Sequence, residues 1–135
     1  MPSRLWLDDR RKPPWGYDLW AKTAEQAIEL LREHDVEHAS LDHDLAEEHY
    51  EDADEPRPGY GEPPRPIDRS KYAHKTGYAV IEWMHAADHW IADIVVHTLN
   101  HRAAEEMMEK VRCCAPAWVT CTRIAFRAPL PSPRS

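Results

Sequence analysis

The sequence predicts an α/β fold built on a mostly parallel sheet, and three observations predict it. Short apolar runs alternate with longer stretches whose apolar residues recur at helical spacing. One of the short runs, "IADIVVHTL", is apolar almost throughout, the pattern of a strand covered on both faces. Three of the runs end in ionisable or hydroxyl residues, and parallel sheets carry their sites at the carboxyl ends of their strands.

Taken in order, "RLWLDD" (Arg4 to Asp9) reads as a strand with its acids at the carboxyl end. "RRKPPWG" follows as a loop, because Pro13, Pro14 and Gly16 punctuate it. "YDLWA" reads as a second short strand, although the link before it is too short for a helical crossover, which takes about a dozen residues. Thr23 with Gln26 three positions on forms a capping-box pattern. It opens a helix with Ala24, Ala27, Ile28, Leu30 and Leu31 as its stripe, fading near His34 and Asp35. "EHASLD" is the next strand. Residues 46–75 are acidic, then rich in Pro and Gly, and read as a surface insertion of the kind that forms lids or stays disordered. Thr76 opens a helix with Ala79, Val80, Trp83, Met84 and Ala87 on one face. "IADIVVHTL", the helix "NHRAAEEMMEKVRCC" and a last strand "WVTCTRIAF" complete one domain over residues 1–127, with a Pro-rich tail at 128–135.

A chain of 135 residues fits one domain with one core. A net charge of −7 argues against coating duplex nucleic acid, which needs a basic surface to release counterions. Cys113, Cys114 and Cys121 make neither a disulfide framework nor a CxxC zinc pair, and reduced thiols in a cytoplasmic protein are the expectation. "MPSRLWLDDRRK" turns charged too early for a signal peptide, and no apolar run approaches the roughly 20 residues of a membrane span.

The strand ends carry the chemistry. Asp8 and Asp9 follow the first strand, Asp42, His43 and Asp44 follow "ASL", and His97, Thr98 and Asn100 follow "IVV". Clustered carboxylates repel one another unless a cation sits among them. An oxygen-rich set suits Mg²⁺, held by Asp8 or Asp9 with Asp42, and Asp44 either joins them or closes an Asx-turn. Direct ligation by His43 or His97 would favour Mn²⁺ or Zn²⁺. Otherwise these imidazoles can move protons. Asn100 either faces the site or caps the helix that follows. The remaining histidines, His34, His38, His49, His74, His85, His89 and His101, show no converging partner and read as surface or packing residues.

Leu7-Asp8-Asp9-Arg10 with Pro13-Pro14, Ser40-Leu41-Asp42-His43-Asp44-Leu45, Thr76-Gly77-Tyr78, His97-Thr98 with Asn100, and Met107 together carry a family resemblance. The order resembles the cyclic-phosphate-processing receiver domain, a divergent relative of response-regulator receivers. The resemblance implies a receiver-like (flavodoxin-like) three-layer sandwich of about five strands with the first helix replaced by a loop. It implies a Mg²⁺-binding pair at Asp8 and Asp9, an acceptor position at Asp42, and Thr98 or His97 at the strand-four position. The lysine of ordinary receivers has no clear match, and His43 and His97 are additions to their pattern. The implied function is a metal-dependent phosphoesterase acting on a cyclic phosphate, as in a cyclic nucleotide or an RNA 2′,3′-cyclic phosphate end. In that reading His43 and His97 are acid and base, Asp42 is a ligand or transient nucleophile, and the insertion is a lid. Arg10 or Lys75, Thr98 and Asn100 contact the substrate. The alternatives are a non-catalytic nucleotide- or phosphate-binding module and a phospho-acceptor receiver.

Overall fold

The computed structural model describes residues 2–53 and 66–124. Strands and helices alternate as β1 (Ser3–Leu7), β2 (Leu19–Ala21), α1 (Ala24–Glu33), β3 (Val36–Leu41), α2 (Glu47–Ala53), α3 (Tyr78–Ala86), β4 (Asp93–Val96), α4 (His101–Cys114) and β5 (Thr120–Arg123). The five strands form one sheet in the order β2-β1-β3-β4-β5, and every neighbouring pair is parallel.

Alternation along the strands divides the sheet into two faces. Leu5 and Leu7, Ala39 and Leu41, and Ile94 and Val96 point to one face. There they join Ala27 and Leu31 of α1, Val80, Ile81 and Met84 of α3, and Met107 and Val111 of α4 in a single core. α1 packs on α3 and α3 on α4, so these three helices share that face. The connections of α1, α3 and α4 all step the same way along the sheet, and right-handed crossovers then put them on the same side.

The step from β1 to β2 runs in the opposite direction, so its connection covers the other face. Residues 8–18 contain turns and no helix. Trp6 is buried beneath them, donating its indole N–H to the Arg11 carbonyl at 2.8 Å, with Tyr17 packed edge-on at 5.2 Å. Among the described residues the third layer is therefore a loop stapled by aromatic side chains. This resolves the short link: β2 pairs in parallel without a helical crossover.

Several expectations shift in detail. Thr23 caps α1 by accepting from the Gln26 N–H, but the Gln26 side chain reaches back to the Lys22 N–H, one residue before the cap. The buried stripe of α3 is Val80, Ile81 and Met84, and Ala87 is exposed. Its N-cap is Gly77, not Thr76. The acidic start of the expected insertion forms α2, and a 3₁₀ turn spans Arg69–Lys71 near its end. The middle of the insertion and the Pro-rich tail at 128–135 lie outside the described residues. Among the described residues no helix is long and apolar enough to cross a membrane.

Candidate metal and phosphate site

Register builds the site. Leu7, Leu41 and Val96 lie side by side on β1, β3 and β4. The next residue on each strand is Asp8, Asp42 and His97, so alternation turns all three away from the helices. The ladder continues through them. The N–H groups of Asp8, Asp42 and His97 donate to the carbonyls of Ala21, Leu7 and Leu41, each at 3.0 Å. Sheet hydrogen bonds thus hold the three backbones.

All three side chains are buried. Asp8 Oδ1 accepts the N–H groups of Arg10 and Arg11, both at 2.9 Å. Asp8 Oδ2 lies 3.1 Å from His97 Nε2 and 3.4 Å from an Arg11 Nη1 donor. Burial opposes charge on Asp8, yet hydrogen bonds from His97 and from the Arg11 and Arg10 N–H groups outweigh it and hold the carboxyl below its ordinary range. His97 Nδ1 lies 2.7 Å from Ser40 Oγ, and its ring stacks on Trp6 at 4.0 Å with planes 3° apart. Burial lowers the His97 pKa, and the neighbouring Asp8 works the other way.

Asp42 is the exception to this satisfaction. Its Oδ1 accepts the His43 N–H at 2.8 Å, while its Oδ2 is buried without a hydrogen-bond partner. Burial, then the charges of Asp8 and Asp44, push its pKa up to about 8, against the opposing pull of the Thr98 hydroxyl and the Arg11 charge. One ligand atom from each of Asp8, Asp42 and His97 lies within 4.8 Å of the others. A buried carboxylate oxygen with no donor, beside a second carboxylate and an imidazole, fits a divalent cation, and without one it fits a carboxyl that keeps its proton. The donor set, two oxygens and one nitrogen, suits Mg²⁺ or Mn²⁺ and admits Zn²⁺.

A second set of contacts surrounds His43. Its Nδ1–H donates to Asp44 Oδ1 at 2.7 Å, and its Nε2 accepts from Arg69 Nε–H at 3.1 Å. Burial lowers its pKa against the opposing pull of Asp44, so the ring is neutral with the proton on Nδ1.

The expected site residues therefore divide. Asp8, Asp42 and His97 converge, with His43 beside Asp42. Asp9 does not join the ligand cluster. As the residue after Asp8 it faces elsewhere, and its carboxylate takes the Tyr50 hydroxyl of α2 at 2.6 Å. Asp44 also stands outside, spent on His43 and on the Asn100 amide at 3.4 Å. Asn100 caps α4 through the Ala103 N–H. Thr98 is buried, and its hydroxyl accepts the Asn100 N–H. Arg10 is exposed, paired with Glu47 at 3.0 Å and stacked 3.7 Å over Tyr50. Lys75 lies beside α1, lining a surface hollow with Glu25, Glu29 and Glu33, not at the strand ends.

Four residues to which the sequence assigns no part in the site also bear on it. Ser40 orients His97. Arg69 reaches His43 from the end of the insertion. His49 is fully buried, accepting the Leu45 N–H at 2.8 Å and donating to the His74 carbonyl at 2.9 Å. It ties the "DHDL" turn to the segment before α3. Gly77 lies so close that a Cβ there would sit 1.8 Å from the Asp42 carbonyl oxygen, and its N–H donates to the His43 carbonyl at 3.0 Å. The signal for Ser40 was period two: it shares a strand face with Asp42.

A family model described as the Cyclic-phosphate processing Receiver domain matches residues 3–113. The chain belongs to that family. Its five-stranded parallel sheet is receiver-like, and the three converging side chains stand at the carboxyl edge of that receiver domain. A search of curated proteins finds no match.

Proposed function

We propose that this receiver domain is a divalent-metal-dependent phosphoesterase that opens a cyclic phosphate, on a cyclic nucleotide or an RNA 2′,3′-cyclic phosphate end. The observation that carries the reading is Asp42 Oδ2, buried without a partner within ligand distance of Asp8 and His97. Asp8, Asp42 and His97 would hold the ion. Bound there, a divalent cation supplies charge to phosphoryl oxygens and acidifies a water. Mg²⁺ is the first choice, with Mn²⁺ or Zn²⁺ favoured to the extent that His97 ligates.

The chain's own groups have distinct tasks in this reading. His97 can ligate through Nε2 only with its proton on Nδ1, where Ser40 Oγ is placed to accept it. That commits His97 to positioning and leaves His43 as the proton carrier. Its Nε2 lone pair is available once the Arg69 hydrogen bond is released, and Asp44 stabilises the imidazolium that forms. The Trp6 ring covers one face of the His97 imidazole.

The test is direct. The protein is incubated with 2′,3′-cyclic AMP, 3′,5′-cyclic AMP and a cyclic dinucleotide, with Mg²⁺, Mn²⁺ or EDTA, and products are followed by phosphorus NMR. We expect turnover of at least one substrate that EDTA and Asp42→Asn abolish. Binding without turnover under every combination overturns it in favour of a binding module. Stable labelling of Asp42 by acetyl phosphate overturns it in favour of a phospho-acceptor.

A further inference from the structure

We propose that Arg69 is the anion-binding residue of this site, taking a phosphoryl oxygen through Nη2; this deepens the phosphoesterase reading and rests on it for the identity of the anion. A phosphate brings negative charge to an edge that already holds Asp8, Asp42 and Asp44. A cation on the substrate side must offset it. Arg10 is exposed and spent on Glu47, Lys75 lies by α1, and Arg11 is spent on Asp8.

Arg69 is the cation placed for the task. Its side chain is mostly buried, and Glu106 and Tyr78 fix its guanidinium plane whether or not the bond to His43 is made. Nη1 donates to Glu106 Oε1 at 2.6 Å, Nε donates to His43 Nε2 at 3.1 Å, and the plane lies 3.9 Å over the Tyr78 ring. The other Glu106 oxygen accepts the Ile67 N–H at 3.0 Å, so α4 anchors the whole segment. Nη2 is buried and has no hydrogen-bond partner. In a planar guanidinium, Nη2 shares an edge with Nε, the edge that here faces His43. One rigid fork thus presents an unspent charged donor beside the imidazole next to Asp42. A donor held in place before the ligand arrives loses little freedom on binding, and a guanidinium matches phosphate oxygens in geometry as well as charge.

A purely structural role for Arg69, tying residues 66–71 to α4, uses Nη1 and the Tyr78 stack but leaves Nη2 without a purpose. The two roles separate experimentally. Inorganic phosphate is titrated into the full chain by calorimetry, first in EDTA and then with Mg²⁺, for the wild type, Arg69→Gln, Arg69→Lys and the exposed control Arg112→Gln. Melting temperatures are recorded for each. We expect Arg69→Gln to weaken phosphate binding about tenfold or more, Arg69→Lys to weaken it less, and Arg112→Gln to leave it unchanged. If Arg69→Gln is poorly folded, Arg69→Lys decides alone, because it keeps the charge and loses the fork.

Phosphate affinity equal to wild type in both Arg69 variants overturns the proposal, as does a wild type that does not bind phosphate. The enzymatic reading fails differently. A wild type that binds phosphate through Arg69 yet turns over no cyclic phosphate keeps this inference and loses that one. Turnover with Arg69-independent phosphate binding does the reverse.

Discussion

The outward face of the sheet carries two histidine–carboxylate pairs, one at each end of the strands. At the amino end, Arg4, His38, Asp93 and Thr120 lie in register across β1, β3, β4 and β5. His38 Nδ1 meets Asp93 at 2.6 Å, its Nε2 meets the Tyr17 hydroxyl at 2.7 Å, and the second Asp93 oxygen accepts from Thr120 at 2.8 Å. Every one of these atoms has a partner, and the Asp93 side chain is 40% exposed. At the carboxyl end, Asp8 and His97 are paired too, but they are buried and stand beside Asp42 Oδ2, which is buried without a hydrogen-bond partner. The residue types are nearly the same. What separates the staple from the candidate site is burial combined with an acceptor left unspent.

Removing that acceptor is the largest way to break the contrast. The folded-state pKa of Asp42, about 8, lies above the ordinary 3.8 of the unfolded chain. Without metal, the folded protein therefore keeps a proton that the unfolded chain gives up between those values. Stability falls as pH rises through this window and levels off above it. A divalent ion bound at the proposed site would replace that proton. At pH 7, calorimetry in two buffers of different ionisation enthalpy should show release of about one proton per ion, with affinity rising about tenfold per pH unit up to about 8. Asp42→Asn should abolish the proton release, flatten the pH dependence of metal-free stability and weaken ion binding about a hundredfold. His38→Gln, at the other end, should change none of these. Ion binding by Asp42→Asn as tight as wild type would remove the site from this edge.

How much of this was legible in the sequence follows from the same register. Asp8, Asp42 and His97 were readable because each directly follows an apolar strand residue, and parallel strands ending together bring their next residues together. Which of two adjacent acids faces inward was not, because a one-residue shift in the strand end reverses it; Asp9 went to Tyr50 for that reason. Arg69 was hidden by distance along the chain. It sits in a segment without periodicity, and only tertiary contacts with Glu106 and Tyr78 aim it. His49 reads from the sequence only as a surface or packing residue, because its two hydrogen bonds go to backbone groups, which leave no mark in residue type. The helical layer was legible as helices, since its stripes repeat, while the buried face and cap of α3 were read only in part. The loop that replaces a helix on the other face was expected as a loop, while its aromatic staple through Trp6 and Tyr17 was not.

The next effect in size comes from the backbone. At the carboxyl end the "DHD" turn is pressed against the start of α3, and Gly77 is what admits the contact. Its φ is not in the left-handed region, so the requirement is space alone. Gly77→Ala would place a methyl group into the Asp42 carbonyl, which a flexible side chain cannot relieve. We expect a loss of about 2–3 kcal/mol in denaturant unfolding, together with weaker ion binding because Asp42 must shift. Wild-type stability in Gly77→Ala would show that this turn is looser than the distances require.

The smallest and sharpest comparison removes one hydroxyl at each end. Ser40 Oγ lies 2.7 Å from a ring nitrogen of His97, and the Tyr17 hydroxyl lies 2.7 Å from a ring nitrogen of His38. Both contacts orient an imidazole whose other nitrogen meets a carboxylate. If the two ends were the same kind of network, Ser40→Ala and Tyr17→Phe would differ only in stability. If His97 is an ion ligand, Ser40 is the group that receives its displaced proton, and Ser40→Ala should lower ion affinity about tenfold. Tyr17→Phe should cost about 1 kcal/mol of stability through the lost hydrogen bond and leave ion affinity alone. Ion titrations and urea melts on the two variants read both quantities. Equal ion affinities would mean that His97, like His38, holds the sheet together and ligates nothing.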